Sequence, residues 1–414
     1  MDDFLRAFAT ASTWRISVRN LFRNPRRTGI IATAVIVGLG GLLIAMAINY
    51  GMADQMVDVA IESELGHVQV HGAGWSAKPG IDVRMPEADV VAPLAGGLPG
   101  LRAWAPRIRA EGLASSSRGN VGVSLVAVDP EREARVTTVA AGLVSGDYLG
   151  TGRRRALIGE RLAKRLHVEL GDKIVVSTQD VTGDMVGEAF RVAGLFRSPS
   201  LDLEQRTVFV TLADGRRMLG MGDELSELAL VAERNADAPR LKAAYLARSP
   251  QRLEVRTWSE LRPFLQYMVN AMRDMAWIVY GAIFIAMAFG IANVLLMSIY
   301  ERTREIGILA AIGMKPGRLV ASLLVESLFL TGLGVAGGLV LGFGAVALLS
   351  DGIDLARWGE GLRSFGVPTT IVPVLPEGEW RIPVGVAVVT AILASAWPAI
   401  RAVRTRPAEA VRHV

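Results

Sequence analysis

Glu301-Arg302-Thr303-Arg304-Glu305-Ile306-Gly307-Ile308-Leu309 is a charged run set between two apolar ones. Residues 276–300 ahead of it carry no charge, and residues 319–350 behind it carry only Glu326. Each flank is long enough to cross a bilayer as a helix, which takes about 20 residues. The run between them is made of good helix formers from Ser298 to Ile312. Gly313 offers a C-terminal stop, and Lys315-Pro316-Gly317 a turn. Glu301 and Arg304 lie one turn apart and can pair, while Ile306, Leu309 and Ile312 fall at helical spacing as an apolar stripe. A short helix with an apolar knob and a charged rim, held between two membrane helices, fits a socket on another protein. The plainer alternative is a solvated loop.

Four segments are apolar enough to span: 29–53, 275–300, 319–350 and 382–400. They divide the chain into an amphipathic N-terminal segment (1–28), the first span, a large insert of ordinary soluble composition with a stalk (54–274), the second span, the connector (301–318), the third span, a short loop (351–381), the fourth span and a tail (401–414). Overall 51% of residues are hydrophobic and 6% aromatic, which suits a membrane protein with a substantial water-facing part. There is no cysteine, so neither disulfides nor thiol chemistry apply.

The net charge of +5 is laid out by topology. Arg6, Arg15, Arg19, Arg23, Arg26 and Arg27 precede the first span. Arg302, Arg304, Lys315 and Arg318 follow the second, and Arg401, Arg404, Arg406 and Arg412 follow the fourth. The 351–381 loop holds more acids than bases. Positive charge marks the cytoplasmic side, which places both termini and the connector inside and the insert and short loop outside. No basic patch interleaved with aromatics occurs, which argues against nucleic acid. Before the first span, Trp14, Val18, Leu21 and Phe22 share one helical face and Arg15, Arg19 and Arg23 another, as in a helix lying in the inner headgroup layer. Asn24-Pro25 breaks that helix. A frayed basic tail is the alternative. Ala45-Met46-Ala47 resembles a signal-cleavage site, but the charged region and apolar stretch ahead of it are too long for a usual signal.

The insert reads as α/β. Strand-like runs lie at 67–70, 121–128, 173–177, 190–196, 206–212 and 228–232, with helical runs at 159–166 and 238–247. Stretches 72–79 and 94–100 read as loops. Residues 258–273 place Leu261, Phe264, Leu265 and Met268 at helical spacing, as a stalk continuous with the second span.

Other candidates carry less. Glu326 sits inside the third span, as a functional group or as a partner of an arginine such as Arg401. Gly332-Leu333-Gly334-Val335-Ala336-Gly337 matches G-x-G-x-x-G but follows no strand, so nucleotide binding is not expected. Gly334, Gly338 and Gly342 instead suit close helix packing. His67 and His71 share one face of a strand without further ligands, so no metal site is expected. No phosphate loop, G-x-S-x-G elbow or H-E-x-x-H motif occurs, and no catalytic or cofactor-binding residue is assigned.

The stretch from Glu301 to Ala310-Ala311-Ile312-Gly313-Met314 resembles the signature of the FtsX-like permeases, the MacB-type or type VII ABC transporters. Trp397-Pro398-Ala399-Ile400-Arg401 through Arg406-Pro407-Ala408-Glu409-Ala410-Val411-Arg412 resembles that family's C-terminal signature. Asn20-Leu21-Phe22-Arg23-Asn24-Pro25-Arg26-Arg27-Thr28 resembles its N-terminal one. Leu157-Ile158-Gly159-Glu160, Leu170-Gly171-Asp172-Lys173 and Val192-Ala193-Gly194-Leu195-Phe196 resemble its MacB-like periplasmic core.

The resemblance implies an α-helical inner-membrane protein with four transmembrane helices and a large α/β periplasmic domain between helices 1 and 2. It implies pairing with a second permease copy or paralogue on two copies of a separate ATPase, which binds the ATP and magnesium; this chain would bind no cofactor and be no enzyme. Work would pass outward by mechanotransmission. Glu301, Arg302, Arg304, Glu305, Ile306, Gly307, Leu309, Ile312 and Gly313 would form the coupling helix on that ATPase. Within the family, Leu375-Pro376-Glu377-Gly378-Glu379-Trp380 resembles a pattern of the lipoprotein-releasing (LolC/LolE-like) branch. Only 28 residues precede the first span, against the fused ATPase of the efflux branch. The first expectation is therefore ATP-driven release of a lipoprotein client from the membrane lipids to a periplasmic carrier. The alternatives are efflux in a tripartite system and regulation of a cell-wall hydrolase.

Overall fold

The computed structural model describes residues 25–150, 152–249, 252–301, 308, 314, 316–355, 357, 359, 361 and 369–404. The chain runs α1 (Pro25–Ala60), a π turn (Ile61–Leu65), β1 (Val68–Gly72), β2 (Met85–Pro86), α2 (Glu87–Val91), β3 (Leu101–Ser115), β4 (Asn120–Val128), α3 (Pro130–Val136), β5 (Leu143–Gly146), β6 (Arg155–Gly159), α4 (Glu160–Leu166), β7 (Lys173–Gln179), β8 (Met185–Phe196), α5 (Leu201–Arg206), β9 (Thr207–Thr211), α6 (Leu212–Leu219), β10 (Glu224–Leu225), β11 (Glu227–Ala232), α7 (Ala238–Leu246) and β12 (Leu253–Thr257). Then follow α8 (Trp258–Leu261), α9 (Pro263–Glu301), α10 (Pro316–Leu348), β13 (Ile353–Asp354), β14 (Thr370–Ile371) and α11 (Arg381–Arg404). Two compact units result: Asp54–Met268 with Leu355–Thr369, and the remainder.

The first unit is a ten-stranded sheet in the order β12-β1-β11-β3-β4-β9-β6-β8-β5, with β7 pairing both β3 and β8. Those two pairings close β3-β4-β9-β6-β8-β7 into a ring. Closure is possible because β3 is 15 residues long and serves three partners. It meets β11 at Leu101–Arg107, β4 at Arg107–Ser115 and β7 at Gly112–Ser115. Two parallel pairings, β4 with β9 and β6 with β8, sit among antiparallel ones. Inward residues such as Ile108, Leu125, Ile158, Ile174, Phe190 and Val210 fill the interior, and α4 and α6 add Leu162, Leu166, Met218 and Leu219 to the same core. Local chemistry sets the helix ends. Asp129 caps α3 by accepting from the Glu131 and Arg132 N–H groups at 3.1 and 3.2 Å, with Pro130 at the first helical position. Thr257 and Glu260 form a reciprocal capping box on α8.

The second unit contains long apolar helices. Among the described residues, three stretches are long and apolar enough to cross a membrane: Thr28–Leu65, Pro263–Asn293 and Val320–Leu348. The fourth expected span falls in α11, whose apolar part, Arg381–Ala396, is shorter. Large apolar side chains stand outward on these helices: Phe289 is 73% exposed, Val340 75% and Leu393 68%. In water such a surface would be costly, and it fits hydrocarbon surroundings.

One expectation is corrected. Residues 258–273 are not one helix: α8 ends at Leu261, Arg262 leaves helical geometry (φ −123°, ψ 69°), and α9 starts afresh at Pro263. Proline lacks the N–H needed to continue a helix and disfavours helical geometry in the residue before it. From Pro263 onward α9 is unbroken for 39 residues to Glu301.

Candidate functional site

Of the residues expected to grip a partner, Glu301 closes α9; Ile308, in the same run but not one of them, is helical and 47% exposed. Arg302, Arg304, Glu305, Ile306, Gly307, Leu309, Ile312 and Gly313 lie outside the described residues. The amphipathic N-terminal segment and the C-terminal signature from Thr405 onward lie outside them as well.

The described residues place the three packing glycines on one face of α10 against α1. A Cβ on Gly334 would fall 2.5 Å from Val35 Cβ, one on Gly338 3.0 Å from Leu39 Cβ, and one on Gly342 2.8 Å from Leu43 Cβ. Glycine spacing of four on α10 thus meets residues spaced by four on α1, which lets the two backbones approach. Gly332 and Gly344, on the same helix, face open space. Glu326 is buried, 4% exposed, and is engaged by a partner. The Arg401 side chain lies outside the described residues.

His67 and His71 are buried with separate partners. His67 Nε2 meets Asn235 Oδ1 at 2.8 Å, and Asn235 donates to Asp58 Oδ1 at 2.6 Å. His71 lies against the Ser226 carbonyl and Gln69 Oε1, stacked on Trp75 at 3.7 Å. Burial pushes both imidazoles below their ordinary pKa, against the pull of Asn235 on the first and Glu227 on the second.

Sequence reasoning missed the group that ties the ends of the two long helices into the sheet. All of it lies within the α/β unit. Arg107, on β3, is 1% exposed. It forks onto Glu133 of α3 with Nη2–Oε1 at 2.7 Å and Nε–Oε2 at 2.9 Å, and reaches Glu227 of β11 at 2.7 Å. Its Nη1 also donates to the main-chain carbonyl of Glu64 in the π turn that continues α1. Arg109, two residues along β3, donates to Glu227 at 3.3 Å and to the Glu64 carboxylate at 2.9 Å. The second Glu64 oxygen accepts from Arg262, the residue before α9, at 3.2 Å. One carboxylate therefore joins the segment leaving α1, the segment entering α9 and the longest strand.

The electrostatics follow from burial. Burial alone would raise the Glu227 carboxyl, but Arg109 and Arg107 outweigh it and hold it down at about 2. Burial likewise opposes the charge on Arg107, and Glu133 and Glu227 hold its pKa above the ordinary value. These are charge-assisted, partly bidentate bonds in a low-dielectric site. The pairs Arg107–Glu133, Arg107–Glu227 and Glu64–Arg262 are 26, 120 and 198 residues apart in sequence, so no local pattern signals them. The arrangement suits transmitting a displacement and offers no nucleophile, acid or base poised for a reaction. No cluster of His, Cys, Asp and Glu suited to a metal ion occurs among the described residues.

Two family models match the chain: the MacB-like periplasmic core domain over residues 28–247 and the FtsX-like permease C-terminal region over 277–407. The lipoprotein-releasing system transmembrane protein LolC of Neisseria meningitidis serogroup B is 22% identical, over 93% of this chain and 94% of that protein. The ABC transporter permease YknZ of Bacillus subtilis is 22% identical over 96% of this chain and 98% of its own length. The macrolide export ATP-binding/permease protein MacB of Nitrobacter winogradskyi is 25% identical over 94% of this chain, which spans 58% of that relative.

Proposed function

Because the chain belongs to the FtsX-like permease family of ABC transporters, with a MacB-like periplasmic core domain, we propose that it releases lipid-anchored proteins from the inner membrane by mechanical leverage. In this reading both termini and the 301–318 connector face the cytoplasm, four helices span, and two permease subunits pair on two ATPase subunits. Closure of the ATPases pushes the coupling helix from Glu301 to Gly313. The second span carries that displacement outward, and the periplasmic domains shift and expel the client to a carrier. Drawing acyl chains out of a bilayer costs about 0.8 kcal/mol per buried CH₂, which explains a need for ATP where no bond of the client is broken.

The observation that carries the reading is α9 together with its anchor. A single 39-residue helix runs from Glu301, at the connector, to Pro263, beside the residue that Glu64 holds. An unbroken helix resists bending and passes a push along its axis. The end-to-end likeness to a lipoprotein-releasing protein supports the choice of client. The likeness to MacB supports the second reading, export through an adaptor and outer-membrane channel.

Reconstitution with the partner ATPase, scored for ATP-dependent release of a lipidated protein to a soluble carrier, tests the proposal. Release is expected; ATP-dependent export of a small molecule with no release would favour the second reading. Charge reversal at Arg304 and Glu305 is expected to weaken ATPase capture in a pull-down while leaving membrane insertion intact. Unchanged capture would count against the docking site.

A further inference from the structure

The segment after β14 crosses α1 in an unusual way. The Val374 N–H donates to the Ala47 carbonyl of α1 at 2.9 Å. Directly beside it, Gly51 leaves no room for a Cβ, which would collide with the Val372 carbonyl. An extended chain thus lies on bare helix backbone, and only a glycine permits that approach. Pro373 and Pro376 keep the segment from coiling into a helix. Further on, the Tyr50 hydroxyl donates to Glu379 at 3.3 Å, and the Arg381 guanidinium lies over the Trp380 ring at 5.8 Å.

The tip of this segment is Leu375. It packs against the cluster that joins α1 to α9, built from Leu42, Met46, Ala276 and Tyr280. It also packs against the neighbouring cluster that contains Leu39, Leu43 and Met287. One apolar side chain therefore sits where the two helices meet, on the stretch of α1 that ends at Gly51. The contrast with the α1–α10 contact is instructive. There, glycine after glycine interlocks with α1, and parting would expose a long seam. Here, the contacts include one backbone hydrogen bond, one long side-chain bond and the packing of Leu375 and Trp380, with no such glycine seam running along the segment.

We propose that residues 370–380 form a removable strap, with Leu375 as a plug that closes the groove between α1 and α9 and must withdraw when an acyl chain uses that groove. The inference rests on the reading of a lipid-anchored client. The strap competes for the apolar surface that a hydrocarbon chain would cover. Its detachment leaves the Val374 N–H without its partner, a loss that is costly in an apolar medium unless something drives it. ATP-driven movement of α9 supplies that drive.

The chain has no cysteine, so introduced thiols report cleanly. Leu375→Cys, reconstituted with the ATPase in lipid vesicles, is labelled with a maleimide. Slow labelling at rest and at least about tenfold faster labelling during ATP turnover are expected, a change of about 1.4 kcal/mol in the opening equilibrium. Gly51→Ala in the same background is expected to give fast labelling without ATP. Equal rates in all three conditions would overturn the strap. In a second variant, Tyr50→Cys with Glu379→Cys, a bismaleimide bridge across the pair is expected to leave ATP hydrolysis running and abolish release of a lipidated protein. Unchanged release after bridging would also overturn it. If the unbridged protein releases no lipidated protein at all, the proposed client is wrong, while the labelling experiment still judges the strap.

Discussion

The α/β unit and the helical unit solve opposite problems. Around Arg107 the sheet buries charge and holds it with three partners, Glu227 of β11, Glu133 of α3 and the Glu64 carbonyl of the π turn after α1. Along α10 the chain removes side chains altogether, so that Gly334, Gly338 and Gly342 admit Val35, Leu39 and Leu43. The first device is directional and fails when any member is lost. The second depends on shape alone. In the proposed mechanism the first device would let the α/β unit receive a push as one body.

The largest break in that comparison is Arg107→Met. It leaves Glu133 buried without its cation and Glu227 with Arg109 alone, at an expected cost of about 3–5 kcal/mol. Thermal unfolding of the full chain in detergent would register it as a lowered midpoint. A midpoint within a degree of the parent would refute the role given to the cluster.

Acid should act on the same group. Glu227 has its carboxyl at about 2 in the fold against an ordinary 4.5, so its contribution is complete above 4.5 and is lost as pH falls toward 2. The unfolding midpoint is expected to decline through that window, with a shallower decline in Glu227→Gln. Parallel profiles would contradict the pairing.

A smaller effect comes from shape. Gly338→Leu forces side-chain volume onto Leu39 and is expected to cost about 1–3 kcal/mol. Gly344→Ala, facing open space on the same helix, is expected to stabilise α10 by about 0.5–1 kcal/mol. Equal responses to the two would mean that the glycines do not set the α1–α10 contact.

The sequence disclosed these two regions unevenly. The apolar runs, the charged connector and the glycine spacing could be read directly, because helix periodicity and bilayer length act locally. Six strands of the insert, β1, β4, β7, β8, β9 and β11, were also readable as strand-like runs. β3 was not, although it is the hub of the sheet. Its segment Leu101–Ser115 carries Pro106, Arg107, Arg109 and Glu111, a composition that argues against a central strand. The charges are tolerated because Glu64, Glu133 and Glu227 arrive from distant parts of the chain, and no local pattern announces them. The strap was half visible: Leu375 to Trp380 stood out as a motif, but its seat on Gly51 lies more than 300 residues away. The stalk failed at Pro263, where helical spacing of apolar residues outvoted a proline that the rules already marked as a break.

The central claim is that the connector is a handle worked from the cytoplasm. Ile308→Cys, placed in the connector of a cysteine-free chain, tests it with a membrane-impermeant maleimide in intact and permeabilised cells. The account predicts no labelling from outside, labelling after permeabilisation, and protection of the thiol when the partner ATPase is bound. Labelling of intact cells from the outside would contradict it.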